Sequence, residues 1–433
     1  MKIFIETYGC QMNVADSELV STILQDNKFQ ITKNVKEADV IIFNTCSVRQ
    51  NAEDRVMGRI SNEMSRKSKQ NLKIGVIGCM AQRLQDKLHE MNKEIDFVVG
   101  VDQYKQIPEI IENLFEKNTT FQEATLVNND EIYKDLYPHR GGELNAFVTI
   151  MRGCNNFCSY CIVPHTRGRE RSRPLNDILK EVEIAGKNGF KDVTLLGQNV
   201  NSYFFEGTNF AQLLRNINNI KTIERVRFVT SHPKDLSDEV ISAMAECNKV
   251  CEHLHLAMQS GDNDILAKMN RGYTAEHYLN IVKKLRKAMP EIAITTDIIA
   301  GFPGETEEQF QKTYDLMEKV EFDYAFTFKY SPRKGTKAAE FTNQIDENVR
   351  LERLQRLIKL QESITLKKYK EQIGKIKDIY VEKISKKSDL EVAGKSRDFK
   401  ITVFEGDKSL IGQFVKVKII DAVGWTLKGK IIK

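Results

Sequence analysis

The sequence predicts an α/β protein in three parts: an N-terminal doubly wound parallel sheet, a central open barrel of six β/α units, and a small C-terminal antiparallel β-barrel. Three observations predict it. Up to residue 116, runs that are apolar throughout alternate with helical periodicity, the pattern of strands covered on both faces. From residue 145 the alternation resumes for six strands, too few to close an eight-strand barrel. After residue 368 it gives way to five short strands with glycine turns.

In order, Lys2–Tyr8 is a strand and Asp16–Asp26 has helical period. Ala38–Thr45 and Leu72–Ile77 are buried strands flanking a polar helix at Asn51–Ser65. Ala81–Met91 is helical, Ile95–Val101 a strand, and Pro108–Glu116 a closing helix. Residues 117–144 lack periodicity and hold Asn128-Asn129-Asp130, Pro138 and Gly141-Gly142, as a linker does. The barrel strands fall at Phe147–Met151, Val193–Leu196, Arg225–Val229, His253–Ala257, Ala293–Ile299 and Ala325–Lys329. Helices separate them at Asn176–Lys187, Leu236–Ala245, Thr274–Ala288 and Glu307–Val320, the last opened by a Thr306/Gln309 capping box. An amphipathic helix, Arg350–Lys370, leads into the tail, giving units 1–116, 145–367 and 368–433.

The length of 433 residues fits two or three domains, and 41% hydrophobic residues suffice for their cores. No apolar run is long enough for a membrane span, and Met1–Thr7 has the pattern of a strand rather than a signal peptide. Eight cysteines without a secretory signal imply a reducing, cytoplasmic setting in which clustered thiols bind metal before they pair. The net charge of +5 is uneven: from Lys368 onward 15 Lys and one Arg face nine acids, leaving −2 for the rest. A basic tail fits a polyanionic partner, or simply a soluble lysine-rich surface.

Cys154, Cys158 and Cys161 lie on the loop after the first barrel strand, in Met151-Arg-Gly-Cys-Asn-Asn-Phe-Cys-Ser-Tyr-Cys161. Three such thiolates hold three corners of a 4Fe–4S cube and leave one iron open. The rival readings are a zinc site completed by His165, and a disulfide with a spare thiol. Cys10, Cys46 and Cys79 each end a strand of the first sheet, so topology brings three distant thiols to one sheet edge, where we read a second three-coordinate cluster. Gly9 and Gly78 permit the turns before two of them. Cys247 and Cys251 have no third partner and no assigned role.

Polar groups follow the barrel strands: Gln198-Asn199, Ser231-His232-Pro233 and Gln259-Ser260-Gly261, with Thr296 and Asp297 inside strand five. Singly they are turn residues; as a ring they form a ligand site. Arg167, Arg169, Arg171 and Arg173 alternate, either as a phosphate-facing ridge or as a solvated charge run.

The Cys-x-x-x-Cys-x-aromatic-Cys pattern, with Tyr160 before its last cysteine, resembles the radical S-adenosylmethionine (SAM) superfamily. Nearly the whole chain resembles its methylthiotransferase family, through Thr7-Tyr-Gly-Cys-Gln-Met-Asn13, Asn44-Thr-Cys-Ser-Val48, Gly78-Cys-Met-Ala-Gln82, Thr230-Ser-His-Pro233 and Tyr330-Ser-Pro-Arg333. The resemblance implies a radical SAM barrel, a C-terminal RNA-binding TRAM barrel and two 4Fe–4S clusters. It implies that SAM sits on the open iron at Cys154, Cys158 and Cys161, with Tyr160 by the adenine. Gln198, Gln259 and Asp297 are the further candidate contacts. The cluster at Cys10, Cys46 and Cys79 would hold the inserted sulfur. The Gly-Cys-Gln-Met-Asn form is similar to the branch that methylthiolates carbon 2 of N(6)-isopentenyladenosine in tRNA. The alternatives are a ribosomal-protein aspartate, threonylcarbamoyladenosine, or, outside enzymes, a two-cluster RNA-binding electron carrier. The expected partners are tRNA carrying isopentenyladenosine and an electron donor such as flavodoxin or ferredoxin, with the chain a monomer.

Overall fold

Val40 and Ile42 point to one face of the first sheet, Ile41 and Phe43 to the other, and all four are fully buried. Helices therefore cover both faces in this computed structural model, which describes residues 1–47, 50–68, 70–85, 87–117, 121–124, 131–141 and 144–432. Val48, Asn128, Asn129, Asp130 and Gly142, named above, lie outside them. The strands are β1 (Lys2–Tyr8), β2 (Gln30–Ile31), β3 (Val40–Thr45), β4 (Lys73–Gly78), β5 (Phe97–Val99) and β6 (Gln122–Ala124). They are all parallel, in the order β2-β1-β3-β4-β5-β6. Helices α1 (Gln11–Asp26) and, after the next three helices in sequence, Ile107–Glu116 share one core with Ile3, Val40 and Ile42. The helix Gln50–Lys67 packs with Ile41 and Phe43 on the opposite face.

The expected linker is partly structural. Its Gln122–Ala124 extends the sheet, and Tyr133, 3% exposed, gives its hydroxyl to the Val101 carbonyl at 2.8 Å. One buried aromatic can fasten a segment that shows no periodicity.

The six barrel strands are Asn145–Thr149, Asp192–Leu196, Arg225–Phe228, His253–His255, Ala293–Ala300 and Tyr324–Lys329. They form two parallel three-stranded sheets, joined by bridges at Val226↔Val250 and Ser231↔Leu256 into an open six-strand wall. Helices on its outer side close a core around Val193, Leu195, Phe228, Leu254 and Ile294. The Thr306/Gln309 capping box is present.

The tail strands Ile376–Ile384, Glu391–Ser396, Ile401–Glu405, Phe414–Val423 and Thr426–Ile431 close a barrel. Four pairings are antiparallel, while Ile401–Glu405 and Thr426–Ile431 run parallel. The tail barrel docks where the central strands begin. Arg225 reaches the Asp378 carboxylate at 2.8 Å, Arg227 the Ser396 carbonyl at 2.9 Å, and Lys400 the Asp323 carboxylate at 2.7 Å. Of the tail's positive charges, Lys400 is thus consumed internally. Among the described residues, no helix is long and apolar enough to cross a membrane.

Candidate functional site

Cys10 caps α1, Cys46 follows β3, and Cys79 opens the short helix Cys79–Leu84 after β4. The expected helix at Asp16 thus begins a turn earlier, at Gln11. Two fully buried asparagines tie these loops together. Asn13 Nδ2 donates to Asn44 Oδ1 at 3.0 Å, Asn44 Nδ2 donates to the Asn13 carbonyl at 2.8 Å, and Asn13 Oδ1 accepts from the Cys10 backbone N–H at 3.3 Å. Gly9 (φ +154°) leaves no room for a Cβ, which would lie 2.8 Å from Cys46 Cβ. At Gly78 (φ +93°) a Cβ would strike Asn44. The three thiols therefore do converge at one sheet edge. A hydrogen bond from Cys46 draws the Cys10 thiol down to about 6, helped by the Arg167 charge and backbone N–H groups. Burial instead pushes the Cys79 thiol up.

Cys154, Cys158 and Cys161 share one half-buried loop. It is stitched by Cys154 N–H to the Gly168 carbonyl at 3.2 Å and Cys161 N–H to the Cys158 carbonyl at 2.9 Å. Arg271, 5% exposed, lies beneath, its Nη1 3.3 Å from Cys158 Sγ and 3.5 Å from the Tyr160 hydroxyl. That fixed cation suits a negatively charged thiolate cluster. Burial, with the neighbouring Cys158, pushes the bare Cys161 thiol up to about 12. Among the described residues no three Cys, His, Asp or Glu side chains are gathered tightly enough for a single metal ion. His165, offered as a zinc ligand, is exposed. The donor set of three thiols suits a cube, whose four irons spread their ligands wider than one ion does.

The two sets meet through a buried ion triad that sequence reasoning missed. Asp16, 0% exposed, takes Arg152 Nη2 at 2.6 Å and Arg167 Nη2 at 2.7 Å. Arg152 leads into the cysteine loop and Arg167 follows it, while Arg167 Nε also donates to Cys79 Sγ at 3.2 Å. One guanidinium thus bridges the elements carrying the two cysteine sets.

The arginine ridge is corrected. Arg167 and Arg173 are buried, Arg173 on Asp177 and Glu181, and Arg171 pairs with Asp102 at 2.9 Å. Arg169 alone is exposed, its guanidinium 4.2 Å over the Phe157 ring. Alternation shows that residues share a face, but not whether that face meets water.

At the barrel mouth, Gln198 Oε1, Ser231 Oγ, His232 Nε2 and Gln259 Oε1 are buried without a hydrogen-bond partner among the described residues. Such orphans at successive strand ends fit a polar ligand. Gln259 (φ +66°) and Thr230 (φ +70°) hold left-handed backbone there, strain of the kind found at binding sites. Burial lowers His232 to about 2, so it is neutral. Asn199 and Asn201 instead brace the turn, both accepting from the His232 backbone N–H. Asp297 is lower on the inner wall, its carboxylate 3.2 Å from His255 Nε2. Tyr160 packs against the buried cluster that holds Phe302 and Tyr330.

The chain matches the Radical SAM superfamily over residues 148–317, the TRAM domain over 370–432, and the family described as "Uncharacterized protein family UPF0004" over 2–100. It is 48% identical to the tRNA-2-methylthio-N(6)-dimethylallyladenosine synthase of Thermoanaerobacter sp. (strain X514), over 99% of this chain and 92% of that one. The like-named protein of Caldicellulosiruptor saccharolyticus is 49% identical, again over 99% and 92%. The chain belongs to the tRNA-2-methylthio-N(6)-dimethylallyladenosine synthase family. It is a radical SAM methylthiotransferase, a family that uses SAM and 4Fe–4S clusters. Among solved structures, the radical SAM methyltransferase TsrM from Kitasatospora setae, with cobalamin and a 4Fe–4S cluster bound, shares the fold. The TM-score is 0.59 at 13% identity, covering 78% of this chain and 74% of that one.

Proposed function

We propose that this chain inserts sulfur and a methyl group at carbon 2 of N(6)-isopentenyladenosine beside the tRNA anticodon. The observation that carries the reading is the convergence of two three-cysteine sets across the Asp16–Arg167–Cys79 contact. In it, Cys154, Cys158 and Cys161 hold one cluster, and Cys10, Cys46 and Cys79 hold the other. When bound, the clusters and SAM supply the radical that takes the hydrogen from carbon 2, the sulfur, and the methyl group. The protein's own residues do the rest. Tyr160, Gln198, Gln259 and Asp297 position SAM, and Arg271 holds positive charge under the loop. The buried asparagine pair fixes the sulfur-bearing edge.

The chain works as three units, 1–116, 145–367 and 368–433, as a monomer in the cytoplasm, with flavodoxin or ferredoxin as electron donor. Mass spectrometry of tRNA nucleosides from a strain lacking the chain tests the function. Isopentenyladenosine should accumulate without its 2-methylthio derivative, and the wild-type chain, not Cys158→Ala, should restore it. An unchanged methylthio nucleoside in that strain would place the substrate elsewhere.

A further inference from the structure

The inner wall of the open barrel carries aromatic side chains that the cluster chemistry does not use. Tyr324, Phe326 and Phe328 share one face of the sixth strand and are 37, 42 and 37% exposed. Register sets Tyr324 beside Thr295, Phe326 beside Asp297 and Phe328 beside Ile299, so the row climbs the wall on which Asp297 stands. At its upper end Ile299 packs against the buried cluster of Phe302 and Tyr330, on which Tyr160 of the cysteine loop also packs. At its lower end Tyr324 meets Trp425, the chain's one tryptophan, with ring centroids 5.3 Å apart. Trp425 is 41% exposed and sits at the turn of the last tail hairpin.

That hairpin is basic. Lys416, Lys418, Lys428 and Lys430 are all exposed, and register places Lys418 directly opposite Lys430. Among the described residues none of the four has an ion-pair partner. Like charges directly opposed across an antiparallel pair destabilise it, and an anion lying over them removes that cost. A lysine ladder ending in an exposed aromatic row is the chemistry that takes single-stranded RNA: phosphates on the cations, unpaired bases on the ring faces.

We propose that Trp425, Tyr324, Phe326 and Phe328 form a stacking track for unpaired RNA bases flanking the target, leading from the hairpin lysines to the cluster loop. The inference rests on the RNA reading above and names the surface that takes the loop. A duplex hides its base faces and engages only the lysines. A peptide gains nothing from four lysines unless it is acidic.

The test uses the full-length protein with two probes, a short single-stranded oligoadenylate and a blunt RNA duplex with the same number of phosphates. Oligoadenylate should quench Trp425 fluorescence and the duplex should not. Phe326→Leu, and separately Tyr324→Leu, should each weaken oligoadenylate binding about 10-fold, the effect of losing one stacked base, with the salt slope unchanged. Lys418→Gln with Lys430→Gln should flatten that slope by roughly 1.4, two single-strand phosphate contacts, and leave quenching at saturation intact. Equal quenching by the duplex, no quenching, or wild-type affinity in both aromatic variants overturns the track. If wild type methylthiolates tRNA while both aromatic variants bind and modify equally well, only the track fails. If wild type leaves tRNA unmodified, the functional reading fails instead.

Discussion

Asp16 is a carboxylate without water, held between two guanidiniums. Burial alone would raise it, and Arg152 and Arg167 together hold it below the ordinary carboxylate range. Asp16→Ala would leave two buried cations without their counter-charge, a loss of about 3–5 kcal/mol. Thermal unfolding should show a drop of several degrees relative to wild type; an unchanged midpoint would mean that water or another carboxylate takes over. Nothing in the sequence singled Asp16 out, because a lone aspartate at the start of a helical pattern looks like a surface residue. The six cysteines were legible for the opposite reason. Thiols are scarce, and here each stands at a strand end or within a three-cysteine spacing.

At the scale of elements, the cysteine loop depends on Gly153. Its φ of +76° disfavours any side chain, and a Cβ there would collide with the Arg169 carbonyl. Gly153→Ala should displace the loop and lose the barrel cluster while the N-terminal one survives. Reconstituted protein would then hold about four irons against about eight in wild type, and a full complement would contradict the loop's role. The tail's docking has its own handle in Asp398. Burial alone would raise its carboxyl, yet Lys400 and Lys377 hold it well below its ordinary value of 3.8. A depressed carboxylate stabilises above its unfolded value and loses that contribution as pH falls through the folded one. The stability gap between wild type and Asp398→Asn should therefore be widest at neutral pH and close as pH drops below 3.8. A gap independent of pH would assign the effect to packing. Strand positions were legible from apolar runs, whereas the helix Phe210–Asn218 and the start of α1 were not. Cys10 caps α1 in place of the usual serine or aspartate, so no familiar signal marked its first turn.

For the whole molecule, chain order misleads about proximity. More than 70 residues separate Cys79 from Cys154, which favours independent assembly on sequence grounds. The fold instead sets Arg167, six residues past Cys161, on Cys79 itself. The elements carrying the two cysteine sets thus meet in one buried contact, as they must if a substrate carbon activated at one set is to take sulfur held at the other. They should still fail differently. The deciding measurement is 5′-deoxyadenosine and methylthio product from the same anaerobic reaction with isopentenyladenosine-containing tRNA, for wild type, Cys46→Ala and Cys158→Ala. Wild type should form both products and Cys158→Ala neither. Cys46→Ala should form deoxyadenosine without methylthio product; full methylthio product from it would contradict the division of labour between the two cysteine sets.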